Sequence, residues 1–394
     1  MEIIKIDLKP GKEQSLHRFH PWLFSGAIRK INGNPAEGDV VEIDDSFGNF
    51  IALGHYQPSS ISVRVISFEK VDINKDFWRQ KIENAILLRK TLGLFKSETT
   101  NTFRLIHGEG DNMPGLIVDI YGSTAVMQCH SVGMYIIRQL LAELIVEEFK
   151  GDIASVYDKS TGTLPFKSGI NPIDGYLIGK ESSDTLLEHG NRFEVSWIEG
   201  QKTGFFIDQR ENRLLLQSYA NGKTVLNTFG YTGGFSVYAI KGGATKAITV
   251  DSSQKAIELT KRNIELNFTD TSKHEAVCGD VFEFIRNSTE KFDIIILDPP
   301  AFAKHNDALR NALQAYKRLN AAAIDKLNPG GLLFTFSCSQ VVNKDNFRNA
   351  VFSGCAMTGR SVKILHQLTQ PADHPINIYH PEGEYLKGLV LQVE

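Results

Sequence analysis

The 394-residue sequence predicts an α/β fold: a C-terminal doubly wound sheet, preceded by a small strand-rich barrel and a central α+β region. Two apolar runs without alternation, 292–297 and 331–336, read as strands buried on both faces, as in a parallel sheet. Between them Leu309, Ala312, Leu313, Tyr316, Leu319, Ala323 and Leu327 share one helical face, and Asn328-Pro329-Gly330-Gly331 stops that helix. Strand, helix and strand imply a right-handed crossover, so both strand ends reach the same carboxyl edge. Residues 1–72 differ: runs such as 38–43 and 61–66 are short, strand-like and separated by turns, which suggests a barrel.

In chain order, residues 76–97 read as a helix with Phe77, Ile82, Ile86 and Leu87 inward. The segment 108–115 is turn-rich and precedes the strand 116–120; it suits a hairpin connector better than a ligand loop. A helix near 133–149 and a strand near 153–158 complete a central domain over 73–189. From 190 to 394 strands and helices alternate. The strand 224–229 meets a glycine turn, a helix starts at Phe235, and the strand 247–251 is followed by a helix through about Asn267. A further strand, 275–279, ends at Asp280.

The chain exceeds what one core usually supports. Its 42% hydrophobic and 23% charged content is that of a soluble globular protein. No apolar run reaches membrane-spanning length, the start Met1–Lys5 lacks a signal-peptide pattern, and four scattered cysteines show neither metal nor disulfide spacing. These features point to the cytoplasm, without membrane or metal. A net charge of −3 excludes a uniformly basic nucleic-acid binder. Local cations remain candidates for phosphate contacts: His17, Arg18, His20, Arg29 and Lys30, then Lys304, Arg310, Lys317 and Arg318. Each taken singly suits a solvated face.

Two constellations carry chemistry. In the first, Gly230-Tyr231-Thr232-Gly233-Gly234 follows a strand and opens a helix, where backbone can approach a ligand closely. Asp251 ends the next strand, 21 residues after Gly230, placed to accept ribose hydroxyls. The spacing departs from the dinucleotide fingerprint, so an adenosine ligand without a pyrophosphate fits better. Asp280 is either an adenine contact or a surface carboxylate. In the second, Asp298-Pro299-Pro300-Ala301-Phe302 and Ser337-Cys338-Ser339 leave adjacent strands at the same edge, so a carboxylate, an aromatic loop and a thiol share one cleft. Cys129, Cys278 and Cys355 read as small hydrophobes, whereas Cys338 occupies a polar strand end suited to a nucleophile.

The set 227–235, Asp251, Asp280 and 298–302 resembles the motifs of class I S-adenosylmethionine-dependent methyltransferases. With the runs 20–26, 204–210, 336–339 and 382–387, nearly the whole chain resembles bacterial 23S rRNA cytosine-C5 methyltransferases that carry an N-terminal PUA domain. That resemblance implies a PUA-like RNA-binding module at 1–72, S-adenosylmethionine as cofactor and 23S ribosomal RNA as partner, in a monomer or homodimer. It implies cofactor contacts from Asn227, Phe229, Gly230, Tyr231, Thr232, Gly233, Asp251, Asp280, Asp298 and Gln209. Pro299, Pro300, Phe302 and Arg210 would meet the substrate, although Arg210 and Asp208 also suit a structural ion pair. Cys338 would add to C6 of an unpaired cytosine while Asp298 protonates N3. Many RNA cytosine-C5 methyltransferases place a second cysteine after the proline of the aspartate motif; here Ala301-Phe302 stands instead. Methylation of a base nitrogen, which needs no thiol, and a non-catalytic RNA-binding role are the alternatives. His374 and His380 belong by default to a surface loop.

Overall fold

A computed structural model describes residues 3–165, 169–181 and 185–394. The chain forms two compact units: residues 1–186, 195–205 and 372–383 make the first; 187–194, 206–371 and 384–394 make the second.

The first unit opens with β1 (Ile4–Leu8), a short α1 (Gln14–His17), β2 (Trp22–Phe24), β3 (Ile28–Asn32), β4 (Val40–Asp44), β5 (Phe50–Tyr56) and β6 (Ile61–Ser67). They form one mixed sheet, ordered β2-β6-β5-β4-β1-β3, over a core that includes Ile6, Leu8, Val41, Ile43 and Val63. Next come α2 (Lys75–Thr91), β7 (Thr102–His107), β8 (Leu116–Tyr121), β9 (Thr124–Cys129), α3 (Val132–Ile136), α4 (Arg138–Phe149), β10 (Ser155–Asp158) and β11 (Gly175–Ile178). These strands give a five-stranded sheet, β11-β10-β9-β8-β7, with 108–115 joining the antiparallel pair β7 and β8.

Helix α2 is shorter than expected and begins at Asn74, whose side chain accepts the Phe77 amide at 3.0 Å. It buries Trp78, Ile82, Ala85 and Ile86, whereas Leu87, expected inward, is 62% exposed. One residue turns a helix by about 100°, which carries Leu87 off the stripe set by Trp78, Ile82 and Ile86. Arg89 on this helix is fully buried: it pairs with Asp111 at 2.5 Å and donates to the carbonyls of Arg104 and Asp373, each at 2.7 Å.

The surface assignment of His374 and His380 is corrected by that same network. They are 1% and 3% exposed. The Asp373 carboxylate accepts the Arg104 amide at 3.0 Å, the His374 ring lies 5.2 Å from that of His107, and the His380 ring lies 4.3 Å from Trp22. Buried polar anchors, invisible in the local sequence, pull this loop inward.

The second unit holds a two-stranded ribbon, β12 (Leu186–Glu188, reaching back one residue) and β13 (Asn191–Phe193), then α5 (Arg210–Tyr219). There follow β14 (Thr224–Thr228), α6 (Gly234–Lys241), β15 (Lys246–Asp251), α7 (Gln254–Asn267), β16 (His274–Cys278), α8 (Val281–Asn287) and β17 (Phe292–Leu297). The series ends with α9 (Leu309–Asp325), β18 (Leu327–Ser337), α10 (Lys344–Thr358), β19 (Val362–Leu368) and β20 (Lys387–Val393). The sheet order is β16-β15-β14-β17-β18-β20-β19. Strands β16 to β18 are parallel, and β20 inserts antiparallel between β18 and β19. The strand order reverses between β14 and β17, where open α/β sheets bind ligands.

Asn328–Gly331 does not separate helix from strand as expected but lies inside β18. Leu327 pairs with Phe292 and the ladder resumes at Leu332 opposite Ile294, so the four residues between bulge out, with Gly330 at φ +77°. The buried Leu327 side chain fixes the pairing before the bulge.

Replacing Arg89 with alanine would leave Asp111 buried without its cation, at a cost of about 3–5 kcal/mol. Chemical denaturation should show that loss, and a change below about 0.5 kcal/mol would refute the account.

Candidate active site

The turn from β14 to α6 is held by backbone strain and close approach. Phe229 and Tyr231 adopt left-handed φ values of 54° and 45°, unfavourable for such side chains. Gly230 between them is required for space: a Cβ there would stand 2.3 Å from Thr249 Cγ2. Gly233 combines φ +77° with a would-be Cβ 2.6 Å from Thr260 Cγ2. Asp251 staples the turn, its carboxylate accepting the Tyr231 and Ser253 amides at 2.9 Å each. The Thr232 carbonyl accepts Asn263 Nδ2 at 2.9 Å.

Beneath the turn, Asn227 Nδ2 donates to Ser236 Oγ at 3.0 Å, while Asn227 Oδ1 is buried without a partner among the described residues. An orphaned buried acceptor is costly, and a ligand that donates to it removes the cost. With the close backbone at Gly230, it fits an adenosine-bearing ligand. Asp280 has a structural task, capping α8 by accepting the Glu283 amide at 2.9 Å.

The second constellation assembles at the carboxyl ends of β17 and β18. Cys338 Sγ lies 4.0 Å from the Pro299 carbonyl, and the Ala303 amide donates to Ser339 Oγ at 3.4 Å, so the two loops are joined. Pro299 is buried and Pro300 exposed. The Phe302 ring packs on Tyr316 of α9 at 4.8 Å. Arg210 is buried, and its Nε donates to Glu211 at 3.0 Å. Asp208 accepts the Tyr385 hydroxyl at 2.8 Å.

Electrostatics couple these groups. Desolvation first, and the Asp208 charge second, push the Asp298 carboxyl up to about 7, against a Gln209 hydrogen bond and the Arg213 charge. Burial, then Asp298 and Asp208, push the Cys338 thiol up to about 12. Lys387 opposes that rise, and its own amine is pushed down to about 8 by burial. Sequence reasoning left Lys387 and Tyr316 without a role here; Lys387 stood in the quoted run 382–387, but nothing local showed it buried beside the thiol.

A parallel sheet with a glycine turn and an acidic strand end at its switch point defines a nucleoside-binding α/β enzyme. Comparison sharpens the class: the S-adenosylmethionine-dependent methyltransferase family matches residues 175–384, and the PUA-like domain family matches residues 6–68. The chain is 39% identical to ribosomal RNA large subunit methyltransferase I of Enterobacter sp. (strain 638), covering 99% of each. It is 40% identical to the protein of that name from Pseudoalteromonas translucida, covering 98% of each. A solved structure described as a methyltransferase complexed with SAH superposes with a TM-score of 0.86 at 25% identity, over 99% of this chain and 100% of that one. The chain belongs to the S-adenosylmethionine-dependent methyltransferase family, with a PUA-like domain before a Rossmann-like catalytic sheet, as the sequence predicts.

Asp298 sets two tests. Its folded pKa lies above the ordinary 3.8, so the folded state holds an extra proton. That contribution to stability is complete below pH 4 and lost as pH rises through about 7. Asp298→Asn should therefore raise Tm relative to wild type more at pH 8 than at pH 5 in thermal scans. Removing the charge should also lower the Cys338 pKa, seen as faster iodoacetamide alkylation of that cysteine at pH 8.

Proposed function

We propose that the chain methylates C5 of a cytosine in 23S ribosomal RNA through a covalent adduct between Cys338 and C6 of the base. The juxtaposition of Cys338 with the Asp298-Pro299 loop carries this reading. The names of the relatives support the RNA class. We retain 1–72 as the RNA-binding module, 73–189 as the central domain and 190–394 as the catalytic domain of a cytoplasmic enzyme. Among the described residues no helix is long and apolar enough to cross a membrane, and no cluster of three metal-ligating side chains occurs.

S-adenosylmethionine, when bound, supplies the electrophilic methyl group. Asn227, Phe229, Gly230, Tyr231, Thr232, Gly233 and Asp251 form its nucleoside side, with Asp280, Gln209 and Asp298 at the margins. Pro299, Pro300 and Phe302 shape the base pocket. Arg210, buried with its Nε donating to Glu211 at 3.0 Å, is the fourth substrate residue in this reading.

Asp298 takes the proton that Cys338 loses: the S–H bond breaks and the carboxylate becomes a carboxylic acid. Sulfur then bonds to C6, the C5–C6 π pair moves onto the ring, and N3 accepts the Asp298 proton as charge develops there. Once C5 has bonded to the methyl carbon, its proton passes to water, the C6–S bond breaks with its electron pair leaving on sulfur, and Asp298 takes back the N3 proton, which restores the ring and the carboxyl group. An acid titrating near 7 is suited to donate and accept in turn.

Nitrogen methylation is the second reading, favoured by the strongly raised Cys338 thiol. Methyl transfer from tritiated S-adenosylmethionine to unmodified 23S rRNA separates the two. Label is expected in 5-methylcytidine, lost by roughly 10³-fold or more in Cys338→Ala and by roughly 10²–10⁴-fold in Asp298→Asn. Label that survives Cys338→Ala would overturn the covalent route, and the labelled nucleoside identifies the atom methylated. Asp251→Ala should weaken S-adenosylhomocysteine binding in calorimetry, because it also releases the Tyr231 and Ser253 amides.

A further inference from the structure

Lys387 is the first residue of β20 and pairs directly opposite Ser337, the last residue of β18 before Cys338. It is 4% exposed, and its Nζ donates to the carbonyls of Ser339 and Tyr385, each at 2.7 Å. Among the described residues no carboxylate lies within ion-pair distance of it. The nearest acidic influence, Glu384, is paired with Lys344. A buried ammonium satisfied only by carbonyls is expensive, since two dipoles replace hydration without cancelling the charge. A residue kept merely to tie two loops would not need a charge.

The anion that would repay this cost is the sulfur next door. The charged and titratable groups acting on Cys338 are Asp298, Asp208, Tyr316 and Lys387, and Lys387 is the one that favours the thiolate. Those acting on Lys387 are Cys338, Glu384 and Lys344.

We propose that Lys387 is a positioning residue for the covalent step: its ammonium, anchored on the Ser339 and Tyr385 carbonyls beside Cys338, eases ionisation of that thiol against the charge of Asp298. The proposal rests on the cytosine-C5 reading for its catalytic meaning. Ionisation leaves the S–H electron pair on sulfur, and in the ligand-free protein the proton passes to water. Lys387 keeps its own protons, so it shifts this equilibrium without entering the atom balance. Because its amine titrates near 8, the help it gives fades as pH rises through that value. A guanidinium, charged throughout, would not fade.

The test is the pH dependence of Cys338 alkylation by iodoacetamide in the full chain. Peptide mass spectrometry resolves Cys338 from the exposed Cys278 and the other cysteines. Lys387→Met should slow alkylation at pH 7.5 by roughly tenfold or more in protein that circular dichroism shows to be folded, as expected when a neighbouring cation is removed from a partly buried thiol. Lys387→Arg should match wild type near pH 7 and exceed it roughly threefold or more at pH 9.5, where the lysine has lost its charge. An unchanged profile in a folded Lys387→Met protein would overturn the proposal and leave the lysine a loop tie. Should that variant not fold, Lys387→Arg decides: a rate at pH 9.5 equal to or below wild type overturns it. No RNA enters the assay, so its failure is distinct from failure of the cytosine-C5 reading, which appears as label surviving Cys338→Ala.

Discussion

The glycine turn depends on a buried ion pair, Glu188 with Arg213. The guanidinium meets the carboxylate through two bonds, Nε to Oε1 at 2.7 Å and Nη2 to Oε2 at 2.6 Å, with 3% and 0% side-chain exposure. The Tyr238 hydroxyl, also 3.0 Å from Glu188 Oε1, and the Phe206 carbonyl, 3.0 Å from Arg213 Nη1, satisfy what remains. Ribbon, α5 and α6 are thereby locked to one another. A Cβ on Gly234 would sit 3.1 Å from Arg213 Cδ, so the helix that receives the turn is seated on this arginine. Burying two charges costs several kcal/mol each, and only near-complete hydrogen bonding offsets that. The return is geometric: strained Phe229 and Tyr231 persist because their surroundings over-determine them.

The same arginine reaches into the chemistry, opposing the rise of the Asp298 carboxyl. Around Asp298 and Cys338 the pocket tolerates one negative charge more readily than two, since desolvation and mutual repulsion act in the same direction. The Asp298 charge therefore adds to burial in opposing ionisation of Cys338. Ionising the thiol is easiest when the Asp298 carboxyl is protonated.

A net charge of −3 is compatible with RNA binding because exposed charges interact over only about 8 Å in physiological salt. Arg18, Arg29 and Lys30 are exposed in the first unit, and Lys304, Arg310 and Arg318 in the second, where 304 and 310 bracket the start of α9. Lys317 is half-buried and less available.

Much of the catalytic half was legible in the sequence. The unbroken run 292–297, the glycine turn and the acidic strand ends follow local rules of burial and backbone freedom, so the parallel strands and the meeting of the 298–302 loop with Cys338 could be read directly. The antiparallel β20 beside β18 could not, because strand pairing is decided between segments far apart in the chain. The exposure of Leu87 depends on which face α2 buries, and the burial of His374 and His380 on Arg89 and Trp22 far upstream. The sequence by itself determined the fold class, the buried parallel strands and the resemblance to the methyltransferase family. Tertiary structure alone decided the charge states, since desolvation and the approach of Asp208, Lys387 and Arg213 exist only once distant strands close on one pocket.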